Sequence, residues 1–340
     1  MSTTASDAAL HFSSKAVTAW GGLALMQRML SAIGFREAAL LWSLPKPGSN
    51  RGFDPVVLVE QFLLSRWCGA NRFSQIEINR HDRALARLFG WTTSAGHRAV
   101  VRLFQRFDLA TSSRVSAQIY GWFFSQLAIK RITLDVDLSV ITRWGKMQEG
   151  ARVGYNPRHH GRASAPGKTL SLFKDDPDMR QWRYGGVCTS LKLAAVELWR
   201  SYRGRADCEN RIKELKADFA LESFNLRDFW ATEAALTATM LAYNLMSLFR
   251  QSVLRGAVQS SMATLRHQVF ATPAWCGAPS DRHANAYTLA LPRQRRAWFA
   301  GLWCDALDPP RLPDHVLNSS QAGEAGTNQG ETAQAYSVTV

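Results

Sequence analysis

Apolar residues recur at three- and four-residue intervals through the first third of the chain. "GLALMQRMLSAIGF", "PVVLVEQFLLSRWCG", "HDRALARLFGW" and "AVVRLFQRFDL" read as successive amphipathic helices. Pro45, Pro47, Gly48 and Gly52 punctuate the loop after the first of them. No convincing strand is legible in this half, so the pattern predicts a helical unit over residues 15–127, with residues 1–14 disordered. The texture then changes. In "ITLDVDLSVI", Ile132, Leu134, Val136, Leu138 and Val140 alternate with Thr133, Asp135, Asp137 and Ser139, the period of a strand with one buried face. A basic loop rich in Gly and Pro follows, "RVGYNPRHHGRASAPGK", then short strand candidates at "TLSLF" and "WRYGGVCTS". Long helices are expected from about Lys192 to Phe219 and from about Asp228 to Leu254, and a later one at "RQRRAWFAGLWCDAL". Strands followed by helices make residues 128–255 a mixed unit, and the fold class is α+β. Residues 256–315 complete a C-terminal helical region, and the small, polar stretch 316–340 reads as a disordered tail.

Charge narrows the function classes. The 340 residues hold 41 Lys plus Arg against 27 Asp plus Glu, a formal net charge of +14. Such an excess points to a polyanionic partner, nucleic acid above all. A membrane surface is disfavoured, since neither a basic amphipathic helix nor a lipid-anchor motif is evident. The longest uncharged run, Ala234 to Phe249, is too short to span a bilayer and is interrupted by Thr237, Thr239 and Asn244. The aromatic and Met residues around it follow helical spacing and are expected in the core. Five scattered cysteines suggest neither a disulfide framework nor a zinc site, which fits a reducing cytoplasm. The N-terminus lacks the apolar run of a signal peptide.

Two local constellations carry chemistry. Asp135 and Asp137, two apart on one strand, project to the same face, where like charges require solvent or a cation. In "SYRGRADCENRIKELKADF", Tyr202, Arg205, Glu209 and Lys216 fall within roughly 60° of arc on a helix, a single stripe. Taken alone, Arg205 and Glu209 could be an ordinary i,i+4 ion pair.

The run Y-x2-R-x3-E-x6-K, from Tyr202 to Lys216, resembles the signature of the DDE insertion-sequence transposases, the large group with an RNase-H-like catalytic domain. Upstream, "LDVDLSVITRWGKMQEGARVGYNPRHHGR" also resembles that group: an aspartate on the first strand, then Gly-Lys-x-Gln-Glu-Gly and Gly-Tyr-Asn-Pro. The resemblance implies an RNase-H-like domain over 128–255, a helical DNA-binding domain over 15–127 and metal-dependent DNA strand cleavage and transfer. The implied metal is Mg²⁺ or Mn²⁺, because hard cations take oxygen ligands. Asp137 and Glu209 are the implied catalytic and metal-holding positions. Asp137 is favoured over Asp135 because the family's aspartate is closely followed by a small hydroxyl residue, here Ser139; Asp135 stands beside it as a further acid at the metal. Tyr202, Arg205 and Lys216 would contact phosphates at the transposon end. The implied partners are double-stranded DNA, as terminal inverted repeats and target, with the chain a homodimer on DNA in the prokaryotic cytoplasm, at the nucleoid.

The pattern also breaks. The family's middle aspartate is not found between Asp137 and Glu209. Asp175, Asp176 and Asp178 lie in a Pro-containing turn, and Glu197 heads the long helix. The interval is too short for a five-stranded sheet with its crossover helix, at about 10–12 residues or more per crossover. The expectation is a shortened domain, with a segment lost around Ala165 to Phe173 and cleavage impaired. Three functions stay open: a transposase, a non-catalytic derivative that competes for transposon ends, and a metal nuclease or resolvase of the same fold. Arg98, Arg102 and Arg106, four apart with Val100, Phe104 and Phe107 on the other side, suit either a DNA-facing helix or a solvated one. Arg80, Arg83 and Arg87 form a weaker stripe of the same kind, and Arg293, Arg295 and Arg296 lie near Trp298.

Overall fold

A computed structural model describes residues 15–48, 52–127, 149, 194, 205–223, 226–255, 260–277 and 286–307. The strand expected at Ile132–Ile141, the basic Gly/Pro loop, the strand candidates after it and the start of the Lys192 helix lie outside the described residues. So do Asp135, Asp137 and Tyr202, and both terminal segments expected to be disordered.

The described chain is mostly helical with one small sheet. Strand β1 (Ala16–Thr18) leads into α1 (Leu23–Ala32) and α2 (Phe35–Leu41), then α3 (Pro55–Trp67), α4 (Glu77–Arg80), α5 (Arg83–Leu88), α6 (His97–Phe104) and α7 (Leu109–Ser125). After the gap come α8 (Arg205–Ala217), α9 (Phe229–Phe249), α10 (Met262–Leu265), β2 (Ala274–Cys276), β3 (Tyr287–Leu289) and α11 (Arg293–Asp305).

Local chemistry explains the helix starts. Asp54 caps α3 by accepting from the Val56 N–H at 2.8 Å, with Pro55 at the first position, where its missing N–H costs nothing. Asp82 caps α5 through Leu85 N at 2.9 Å, and Asp108 caps α7 through Thr111 N at 2.7 Å. The Asp108 cap begins a new helix where the apolar periodicity predicted continuation. Helix α6 therefore ends at Phe104, and Arg106 sits in the connection instead of extending the arginine stripe.

Helices α3 and α9 form the centre. α3 is buried nearly all round, with even Glu60, Gln61, Ser65 and Arg66 inside. Burial brings the Arg66 guanidinium down to about 9, and its cation lies 4.5 Å from the Phe62 ring while Nη1 donates to Ala70 O at 2.7 Å. Glu60 accepts from Arg36 Nε at 2.8 Å and Trp91 Nε1 at 2.7 Å, so its burial is compensated. Between the two central helices, Trp67 Nε1 donates to Ala242 O at 3.0 Å. One cluster of buried apolar side chains runs from α1 through α3, α6 and α9 to α11. The expectation for α9 holds at Tyr243, Met246 and Phe249, with Met240 partly buried against the core, but not at its start, where Phe229 is 45% exposed and Trp230 half-buried.

No strand is expected in the first half of the chain, and β1 corrects that expectation. β1 pairs antiparallel with β2, Ala16 opposite Cys276 and Thr18 opposite Ala274, and β2 pairs with β3. Three-residue strands carry too little alternation to be read locally. Their partner is remote: Gly21 N donates to Thr272 O at 2.7 Å, and a Cβ on Gly22 would lie 1.8 Å from Val269 O. Glycine is required at that contact. The helix expected to reach Leu254 does so, its last turn Arg250–Leu254 widening to π-type, and α10 with the π-type turn Arg266–Phe270 lies within the C-terminal region expected to be helical. Cys68, Cys276 and Cys304 are free thiols, and no described helix is long and apolar enough to cross a membrane.

Candidate metal and nucleic-acid site

Helix α8 carries Arg205, Glu209 and Lys216, and its orientation is fixed from the opposite side. Glu214 accepts from Arg250 Nη1 at 3.1 Å, from Arg250 Nη2 in a second, shorter contact, and from the Met262 N–H at 2.7 Å. Leu215 and, just past the helix, Phe219 are buried, with the Phe219 ring edge-on to Tyr243 at 5.3 Å. Burial raises the Tyr243 phenol above its ordinary range. Arg266 bonds to Trp67 O at 3.1 Å, Arg66 O at 3.1 Å and Asp218 O at 2.6 Å, tying the end of α8 to the end of α3.

Glu209 stands roughly 140° around the helix from Glu214. It is exposed, as are its neighbours Asn210 and Lys213, while Lys216, two turns on, is partly buried. Among the described residues no side chain pairs with the Glu209 carboxylate. An acid held on a rigid helix, facing solvent and unneutralised, suits a metal ligand. It supplies one donor only: no group of three or more His, Cys, Asp or Glu is poised for a metal among the described residues.

Glu149 belongs to the Gly-Lys-x-Gln-Glu-Gly stretch. Its N–H donates to Arg227 O at 2.9 Å, and its carboxylate accepts from Phe229 N at 3.0 Å, at the start of α9. Asp228 offers no side-chain cap there, so Glu149 does the capping. Glu149, from the upstream stretch, is thereby tied to the start of α9.

A second region lies on α4 and α6. Arg98 and Arg102 are exposed on α6, and with Arg80, His97, Glu77 and Phe53 they line a cleft of ≈510 Å³. α6 has Gly96 at its N-cap and no side-chain cap of its own. Glu77 replaces it: Oε1 accepts the His97 backbone N–H at 2.9 Å and lies 2.7 Å from His97 Nδ1. Arg80 Nη1 reaches Glu77 Oε2 at 3.0 Å. These bonds, the one from the His97 ring first, hold the Glu77 carboxyl down at about 2. A Cβ on Gly96 would fall 2.9 Å from Glu77 Oε1, so the network needs glycine there. Glu77, His97 and Phe53 went unnoticed in the sequence because three separate segments supply them; the uncapped Gly96 was the one local hint.

Of the other basic residues, Arg106 and Arg83 are exposed, and Arg87 Nη1 donates to Gly277 O at 3.1 Å. The break between α4 and α5 separates Arg80 from Arg83 and Arg87. On α11, Arg295 lies 5.1 Å from the Trp298 ring centre, and Arg296 Nε donates to Leu291 O at 3.1 Å.

Residues 174–294 match the family model described as transposase DDE domain, group 1. Over that stretch, about a third of its length, the chain is similar to the DDE-type transposases. The match contains Glu209 and Lys216, the anchoring residues Glu214, Arg250 and Arg266, and strands β2 and β3. It begins well after Asp137 and after the arginine cleft. No curated protein and no solved structure matches the chain.

Proposed function

We propose that the chain is an insertion-sequence transposase that binds double-stranded DNA at transposon terminal inverted repeats and brings it to target DNA, with Mg²⁺ or Mn²⁺ as cofactor. The observation that carries this reading is Glu209, solvent-facing and without a partner among the described residues, on a helix pinned from behind, inside the segment that matches the transposase domain. Asp137 and Glu209 would hold the metal, with Asp135 beside them. When bound, divalent ions stabilise the attacking and leaving oxygens of an in-line displacement at phosphorus. Tyr202, Arg205 and Lys216 would grip end phosphates, and Arg98, Arg102 and Arg106 would contact DNA outside the metal site. A homodimer on the DNA, in a prokaryotic cytoplasm at the nucleoid, completes the reading.

Cleavage by this copy is impaired, because the middle carboxylate is not found in the sequence. The start of the family match, at residue 174, supports a lost segment, since it falls directly after the Ala165–Phe173 stretch where the pattern breaks. On that second reading the chain acts as a non-catalytic competitor that occupies transposon ends.

The test is incubation of the full chain with duplex DNA from the boundaries of its own genetic element, with Mg²⁺ or Mn²⁺. A sequence-specific retarded complex without nicking is the expected result. Specific nicking at the repeat end would overturn the loss of cleavage, and absence of specific binding would overturn the transposon-end reading altogether.

A further inference from the structure

The arginine cleft has a shape that a general DNA-facing helix does not explain. α6 forms one wall of a recess that Phe53, Glu77 and Arg80 also line. The ≈510 Å³ of this open cleft falls within the roughly 300–1,000 Å³ typical of pockets that take a small ligand. Its lining combines three kinds of group. Arg80, Arg98 and Arg102 supply cationic forks, and among the described residues the Arg98 guanidinium has no partner at all. Phe53, partly buried against the core, supplies an aromatic ring. Glu77, kept ionised by His97 and Arg80, supplies an acceptor.

We propose that this cleft binds an unpaired nucleotide: its phosphate on Arg98 and Arg102, its base against Phe53, and a base amino group directed at Glu77. Each part follows from recognition chemistry. Arginine forks match phosphate geometry, aromatic rings stack on any base face, and carboxylates accept from exocyclic amines such as cytosine N4. A patch that only neutralised duplex phosphates would need neither an aromatic ring nor an acid, and the acid would weaken it. Glu77 nevertheless has a structural duty, since it caps α6, so the acid alone would not argue for a base. The coincidence around one recess of ring, acid and an arginine with no partner among the described residues does.

The proposal deepens the DNA-binding reading and rests on it for the class of partner, but its test is separable. The full chain is titrated, in EDTA so that no metal contributes, into labelled single-stranded oligo-dC and oligo-dT and a blunt duplex of unrelated sequence. None of these probes carries a terminal repeat, so the result is independent of transposon-end recognition. Arg98→Ala with Arg102→Ala should weaken single-strand binding by about tenfold or more, with duplex binding changed much less. Phe53→Leu, which keeps apolar volume and removes the ring, should weaken it by about fivefold or more. The wild type should prefer oligo-dC to oligo-dT, and Glu77→Gln should reduce that preference. Thermal melts of each variant separate loss of binding from loss of fold. The proposal is overturned if Phe53→Leu leaves single-strand affinity unchanged, or if the arginine variant weakens duplex and single strand equally.

Discussion

Glu214 and Arg250 form an ion pair behind the helix that carries Glu209, with side chains only 14% and 3% exposed. The pair joins α8 to the π-type turn that ends α9, and Glu214 also holds the first N–H of α10. A charge buried this deeply is costly once its partner is removed. Arg250→Ala should therefore destabilise the fold by about 3–5 kcal/mol, read as a lower midpoint in urea denaturation. Glu214→Ala should cost at least as much, because Met262 N loses its acceptor in the same step.

Arg266 is a second pin. Its guanidinium serves three backbone carbonyls from two distant segments, and burial lowers its pKa while Asp218 partly offsets this. Arg266→Ala should cost about 2–3 kcal/mol, as expected for hydrogen bonds from a charged group. Hydrogen exchange should quicken at the ends of both α3 and α8, and an effect confined to one of them would contradict the pin.

Glu77 gives the fold a pH dependence with a definite sign. Its carboxyl is lowered from 4.5 to about 2 by His97 and Arg80, so the folded state binds its proton less readily than the unfolded chain does. Its stabilisation is fully present above about pH 4.5 and is lost as pH falls toward 2. The side chain is one-third exposed, so solvent screening reduces the effect to about 1 kcal/mol. Glu77→Gln should flatten the stability profile over that interval. A wild-type profile no steeper than the variant's would show that the His97 and Arg80 bonds contribute nothing net.

How far the sequence could be read depended on how local each signal was. The helices of α1, α3, α9 and α11 stand out because burial repeats within the element itself, as along "PVVLVEQFLLSRWCG". β1 was invisible, since three residues gain their meaning from a register with Ala274–Cys276. The end of α6 was misjudged for another reason. Apolar spacing continues through Phe107, but Asp108 offers a better helix start, and capping overrode periodicity. At the candidate site, the spacing of Glu209 and Lys216 was legible as a stripe, whereas the pins behind it were not: Arg250 and Arg266 come from elements far along the chain. The cleft at Arg98 and Arg102 shows the same limit, because its ring and its acid arrive from Phe53 and Glu77.

The central claim is that Glu209 shares a divalent ion with Asp137. Mn²⁺ binding to the full chain, followed by electron paramagnetic resonance or calorimetry, tests it in Asp137→Asn, Glu209→Gln and the double variant. One shared ion predicts that each single change weakens Mn²⁺ binding by about tenfold or more and that the double change adds little, as for ligands of one site. If either single variant keeps the wild-type affinity, or if the two losses add as for independent sites, the two acids do not meet at one metal.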